Sequence, residues 1–329
     1  MACYFLGIDN GGTAIKAALF HGKGTLLSVA KRETPVSIPQ PGWAEREMEE
    51  LYRLNCECVR EAIASAGIDP SDIAGVGVTG HGKGLYLWGT DGKPAAPAIA
   101  STDNRAQSIV EELERQGVAA SLRERTLQPL LACQPAALLV WMKRQRPEVF
   151  DRIAWVFEAK DYIRFRLTGE AYAELTDASG TSLLNLKTSS YDPAILQLLG
   201  LEALADALPP LTYAHDLCGR ITAEAAEATG LLAGTPVCGG MFDIDACAIA
   251  AGVLDSERIC MVTGTWSINE YVSPAPVLSC QTTKNSLFCL PGCYLVEESS
   301  ATSAGNLEWL IHTVFTAEQS EAKAAGQSI

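Results

Sequence analysis

The stretch Phe5-Leu6-Gly7-Ile8-Asp9-Asn10-Gly11-Gly12-Thr13-Ala14-Ile15-Lys16 constrains this chain most, because an apolar run delivers a carboxylate into a glycine-rich turn and then resumes. It reads as strand, turn, strand. A carboxylate there can hold Mg²⁺, and the Gly11-Gly12 backbone can approach phosphate oxygens with no Cβ in the way. Thr13 and Lys16 add a hydroxyl and a positive charge beside it. That equipment suits ATP. The segment also fits a plain hairpin, since Asn-Gly between apolar runs is a strong turn signal that needs no ligand.

At 329 residues, 48% hydrophobic and 19% charged, the chain is globular and long enough for two domains. Its formal net charge of -14 argues against a nucleic-acid or anionic-membrane partner, because both need basic surface. The eleven cysteines are odd in number and scattered, and Met1-Ala2-Cys3-Tyr4 lacks the basic start of a secretion signal. Reduced thiols in the cytoplasm are the expectation. Histidines 21, 81, 215 and 312 lie far apart, so a zinc site lacks support. No apolar run approaches the roughly 20 residues that span a bilayer.

Residues 4 to 8, 14 to 20 and 26 to 32 alternate as three antiparallel strands, and a helix is expected from about Glu45 to Ala66. Ile73 to Thr79 and Leu85 to Trp88 read as strands. Helical patterns follow at Asn104 to Gln116, Ala136 to Arg144, Ala159 to Thr168, Pro193 to Leu199, Ala223 to Thr229 and Ala246 to Ala251. The alternation of strands and helices gives an α/β class. Arg258 to Asn269, with Thr263-Gly264-Thr265-Trp266 at its centre, is a second strand, turn, strand unit that echoes the first and suggests a duplicated fold around a cleft.

Gly75-Val76-Gly77-Val78-Thr79-Gly80 satisfies a dinucleotide pattern, and Gly77 to Lys83 nearly satisfies a P-loop. Each works only where the glycines open a helix, whereas this stretch runs into Leu85-Tyr86-Leu87-Trp88, which reads as strand. A glycine-rich bend that brings Lys83 to a ligand fits better, with a solvated turn lysine as the plain alternative.

Several segments together resemble the FGGY family of carbohydrate kinases, within the superfamily of sugar kinases, actin and Hsp70-type ATPases. They are Gly7 to Lys16, Pro41-Gly42-Trp43-Ala44-Glu45, Thr102-Asp103-Asn104-Arg105, Lys160-Asp161-Tyr162, Thr176 to Thr181, Gly230 to Val237, Gly239 to Asp243 and Gly264-Thr265-Trp266. Gln40 to Arg46 and Gly82 to Leu85 are most similar to the bacterial L-xylulose kinases of that family. The resemblance implies a duplicated ribonuclease H-like (actin-like ATPase) fold. It implies a sugar-binding domain over 1–246 and part of a nucleotide-binding domain over 247–329.

It also implies ATP-dependent phosphorylation of a small sugar, a ketopentose such as L-xylulose, with ATP and Mg²⁺ as cofactors. Asp243 is the implied base for the attacking hydroxyl. Asp245 competes, because two residues along an extended segment return to the same face, and either aspartate could instead cap the helix that follows. Asp9 would bind Mg²⁺ through water. Gly11, Gly12 and Thr13 would hold the phosphates from one side, and Gly264 and Thr265 from the other, while Lys16 sits on the phosphates or the hairpin surface. Trp43, Glu45, Lys83, Asp103 and Arg105 are candidate sugar contacts. Trp43 also suits core packing, and Arg105 a plain helix charge.

Relatives of this family are longer, so the second domain is expected to be incomplete, with weak ATP binding and self-association into a homodimer through an exposed half-sheet. A non-catalytic sugar-binding fragment and a kinase of D-xylulose or a keto-sugar acid stay open as alternatives. A protein-remodelling ATPase fits less well with the loops at 40 to 46 and 102 to 105.

Overall fold

The opening apolar run is β1 (Tyr4–Asn10), which pairs antiparallel with β2 (Ala14–His21), and β2 with β3 (Leu26–Glu33). A computed structural model describes residues 3–263, 267–279, 282–300 and 303–326. Period-2 alternation turns Leu6, Ile8, Ile15, Ala17 and Leu19 to one face. There they meet α1 (Met48–Ala66), whose Met48, Leu51, Cys58 and Ala62 are buried. The helix begins three residues later than the sequence suggests, because Glu45–Arg46 is extended and pairs with Ala98–Ile99. Gly67, at φ +63, stops it.

After α1 the chain returns as β4 (Ile73–Gly80), parallel to β1. The sheet is completed by β5 (Leu217–Arg220) and β6 (Pro236–Cys238), in the order β5-β6-β4-β1-β2-β3, with β7 (Met241–Phe242) also on β4. Residues between β4 and β5 form a largely helical insertion with its own core around Leu138, Leu139 and Ile195. A single helix from Asn104 to Gln116 is not what forms. It starts at Gln107, because the Asp103 carboxylate accepts the Arg105 N–H, and Gly117 at φ +75 divides it from an unanticipated helix Val118–Thr126.

The helix expected from Ala246 starts at Asp243 as α2 (Asp243–Ala250), and its capping residue is Phe242, so neither aspartate caps it. A second antiparallel sheet follows, made of β8 (Cys260–Thr263), β9 (Ser267–Ser273), β10 (Lys284–Leu287) and β11 (Tyr294–Ser300) in the order β8-β9-β11-β10. The β8–β9 hairpin repeats the β1–β2 arrangement. Its turn, with Gly264 and Thr265, lies outside the described residues. The second sheet is tied down where Leu287 N–H donates to Ser179 Oγ at 3.0 Å and Cys289 N–H to Asp245 Oδ1 at 3.0 Å. Among the described residues no helix is long and apolar enough to cross a membrane.

Candidate functional site

At the open end of β1 the antiparallel register sets Asp9 opposite Lys16, and Lys16 Nζ donates to Asp9 Oδ2 at 3.1 Å. Lys16 is therefore both on the hairpin surface, with half its side chain exposed, and at the edge of the turn. Gly11 N–H closes the turn on Ala14 O, and a Cβ at Gly11 would stand 3.0 Å from that oxygen. The carbonyls of Gly11 and Gly12 both accept bonds from the buried Arg46 guanidinium. Because C=O and N–H lie trans across a peptide, this turns the N–H groups of Gly12 and Thr13 away from Arg46. Arg46 also approaches His81 Nε2 at 3.4 Å, and burial followed by that charge pushes the His81 pKa down to about 3. His81 is neutral and meets Tyr86 Oη at 3.0 Å.

A cavity of about 170 Å³ opens beside this turn, lined by Gly12, Lys83, Ser101, Thr102, Phe242 and Asp243 among others. The Asp243 carboxyl is placed by its backbone. Gly240 has φ +76 and a Cβ there would fall 1.8 Å from Val78 O, so only glycine lets β7 lie against β4. Phe242 N–H then donates to Thr176 Oγ1 at 2.8 Å, which fixes the first turn of α2. Burial, then the charges of Asp9 and Asp177, push the Asp243 pKa up to about 8 against the pull of Lys83.

Asp245 does not share that face. On a helix two residues are about 200° apart, so the same-face argument, which needs an extended segment, fails here. Asp245 is fully buried, accepts the Cys289 N–H, and is driven well above the usual range by burial and then by Glu174.

The bend after β4 carries no helix, as the two glycine patterns there would require. Lys83 adopts φ +64, a left-handed conformation rare for a side chain of its size, held by its N–H donating to Glu158 Oε1 at 2.7 Å. A Cβ on the preceding Gly82 would sit 2.6 Å from the Phe242 ring and 2.8 Å from Asp177 Oδ1. The bend rests on a buried charge network in which Lys160 Nζ reaches Asp161 at 2.8 Å, Asp177 at 3.2 Å and Glu174 at 3.3 Å. Arg164 bonds Asp161 at 2.8 Å. Burial, then Asp177, raises Glu158 far above an ordinary carboxyl.

A model of the FGGY family of carbohydrate kinases, N-terminal domain, matches residues 4–250. The chain belongs to the FGGY family. It is 39% identical over 314 residues to a probable L-xylulose kinase of Pasteurella multocida, covering 94% of this chain and 64% of that protein. It is 36% identical over 328 residues to the L-xylulose/3-keto-L-gulonate kinase of Escherichia coli K12, covering 98% and 64%. The crystal structure of a xylulose kinase from Rhodospirillum rubrum superimposes with a TM-score of 0.88 at 30% identity, covering 98% of this chain and 65% of that one. This FGGY chain thus has the actin-like ATPase fold, and it spans about 64% of the length of the curated relatives it matches.

The remaining sugar-contact expectations fall together, but one layer behind the cavity of this FGGY chain. Arg105 lies 4.0 Å over the Trp43 ring and bridges Glu45 at 2.8 Å and Asp103 at 2.9 Å. Asp103 also accepts the Ala44 N–H at 2.6 Å and is wholly buried. Trp43 meets Trp141 edge to face at 5.3 Å. These groups are satisfied by one another, and Ser101 and Thr102 from the same loop reach the cavity instead. Arg46, His81, Phe242 and the acids beneath Lys83 had no functional reading in the sequence. Arg46 carried one signal, its place directly after Glu45 in the Gln40 to Arg46 loop.

Proposed function

We propose that the chain carries the sugar site of a kinase that transfers the γ-phosphoryl group of ATP to a hydroxyl of a small sugar, a ketopentose such as L-xylulose. One observation carries this reading. Asp243 lines the cavity between the phosphate turn and Lys83 with its pKa pushed up to about 8. A base for the attacking hydroxyl works best with a pKa near the working pH, and phosphoryl transfer otherwise needs positioning and charge neutralisation. Asp243 takes the hydroxyl proton as the new O–P bond forms and the bond to the ADP oxygen breaks.

The N–H groups of Gly12 and Thr13, with Gly11 shaping the turn and Lys16 at its rim, hold the phosphates. Asp9 would hold Mg²⁺ through water, which suits a partly exposed carboxylate whose charge is felt at Asp243. The metal, once bound, supplies charge neutralisation at the phosphates. Gly264 and Thr265 would hold the phosphates from the opposite side, and residues 1–246 and 247–329 are the sugar and nucleotide sides. Trp43, Glu45, Asp103 and Arg105 serve the sugar by bracing the loop of Ser101 and Thr102. The ten described cysteines form no disulfide, which suits a reducing cytoplasm.

The experiment is incubation with Mg-ATP and, separately, L-xylulose, D-xylulose, D-ribulose or glycerol, with sugar phosphate detected by mass spectrometry. A pentulose phosphate is expected. Melting that responds to nucleotide alone, with no sugar stabilising the chain, would count against a sugar site.

A further inference from the structure

Lys83 reaches the cavity from a ring of acids. Its Nζ lies 3.5 Å from Glu297 Oε1 on β11, across the space between the two sheets, and both side chains are almost fully buried. Despite burial, Glu297, Glu158 and Asp243 hold the Lys83 ammonium above its ordinary pKa. The same Glu297 oxygen is 3.4 Å from Lys284 Nζ, which also bonds Ser299 Oγ. Glu270 stands opposite Glu297 in the β9–β11 register, and burial together with Glu297 pushes it to about 8. One carboxylate is therefore shared by two lysines. A ligand carboxylate that reached Lys83 would set a second negative charge against the buried Glu297, or push Glu297 off onto Lys284 and Ser299, and either is costly. A hydroxyl can accept from Lys83 without displacing it.

We propose that Glu297 is a positioning residue for substrate choice: by holding the Lys83 ammonium it makes the cavity accept an uncharged ketose and turn away a sugar acid. This rests on the sugar-kinase reading and adds the substrate charge that the site selects.

The test is calorimetric titration of L-xylulose and 3-keto-L-gulonate into the whole chain, wild type and variants. Wild type should bind L-xylulose about tenfold more tightly or better. In Glu297→Gln that ratio should fall by about tenfold, and adding Lys83→Met should cancel the acid's gain. Lys284→Met, which leaves Glu297 to Lys83, should move the ratio the other way. A ratio of two ligands on one sample is insensitive to a general loss of fold, and if Glu297→Gln binds neither ligand the Lys284→Met shift decides. Unchanged ratios, or equal binding of both ligands by wild type, would overturn the proposal. Binding of neither ligand by wild type would instead remove the sugar-site reading, and this inference with it.

Discussion

Arg46 determines which way the Gly11-Gly12 turn faces, since its guanidinium takes the two carbonyls and leaves the N–H groups of Gly12 and Thr13 pointing away. Arg46→Met should therefore weaken nucleotide binding by about tenfold or more while sugar affinity changes little, and titration of each ligand checks it. At this scale the sequence was least legible. From the sequence Lys16 fits either the phosphates or the hairpin surface, and its pairing with Asp9 comes only with the strand register. Resemblance favours Asp243 over Asp245, while the extended-segment argument that sets both on one face fails because the segment is helical. Asp103 and Arg105 were legible as a charged motif. That their charges close on each other, under Trp43, is a fact of packing across 60 residues of chain and leaves no local pattern.

Elements were legible where the signal is local. Pro193–Leu199 and Ala223–Thr229 form over the expected residues, because Asp192 and Thr222 cap them and Gly200 and Gly230 stop them. The helix Val118–Thr126 and strand β10 were not anticipated. Lys284–Leu287 holds no β-branched residue, so its extended form comes from the ladder with β11. The bend at Gly82 shows how tightly the elements around the cavity fit. Gly82→Ala should destabilise the chain by about 2–4 kcal/mol in denaturant melts, because a Cβ there meets the Phe242 ring and Asp177 with little room to relax. An alanine tolerated within about 0.5 kcal/mol would contradict the packing described around that bend.

Across the whole molecule, the cavity lies where the seven-stranded sheet, α2 and the second sheet converge, and acids gather around it, of which Asp243 and Glu270 are pushed up to about 8. Folded Asp243 titrates near 8 and the unfolded residue near about 3.9, so the folded state holds the extra proton between those values. Its stabilising contribution is complete below the unfolded value and is lost as the pH rises through about 8. Asp243→Asn should therefore melt higher than wild type at about pH 8.5, by about 1–3 kcal/mol, and the gain should vanish near about pH 4. Glu270, which also titrates near 8, adds a loss in the same direction. The alternating order of strands and helices made this architecture legible from the sequence, but the convergence of acids from β1, α2, β9 and β11 was not, because their sequence separations are long. The most direct test of the central claim is the pH profile of sugar-dependent ADP release from Mg-ATP for wild type, Asp243→Asn and Asp245→Asn. The account predicts that wild-type kcat/KM rises to a plateau above about pH 8, that Asp243→Asn loses about 10³-fold, and that Asp245→Asn keeps most of its activity. Activity surviving in Asp243→Asn and lost in Asp245→Asn would contradict it.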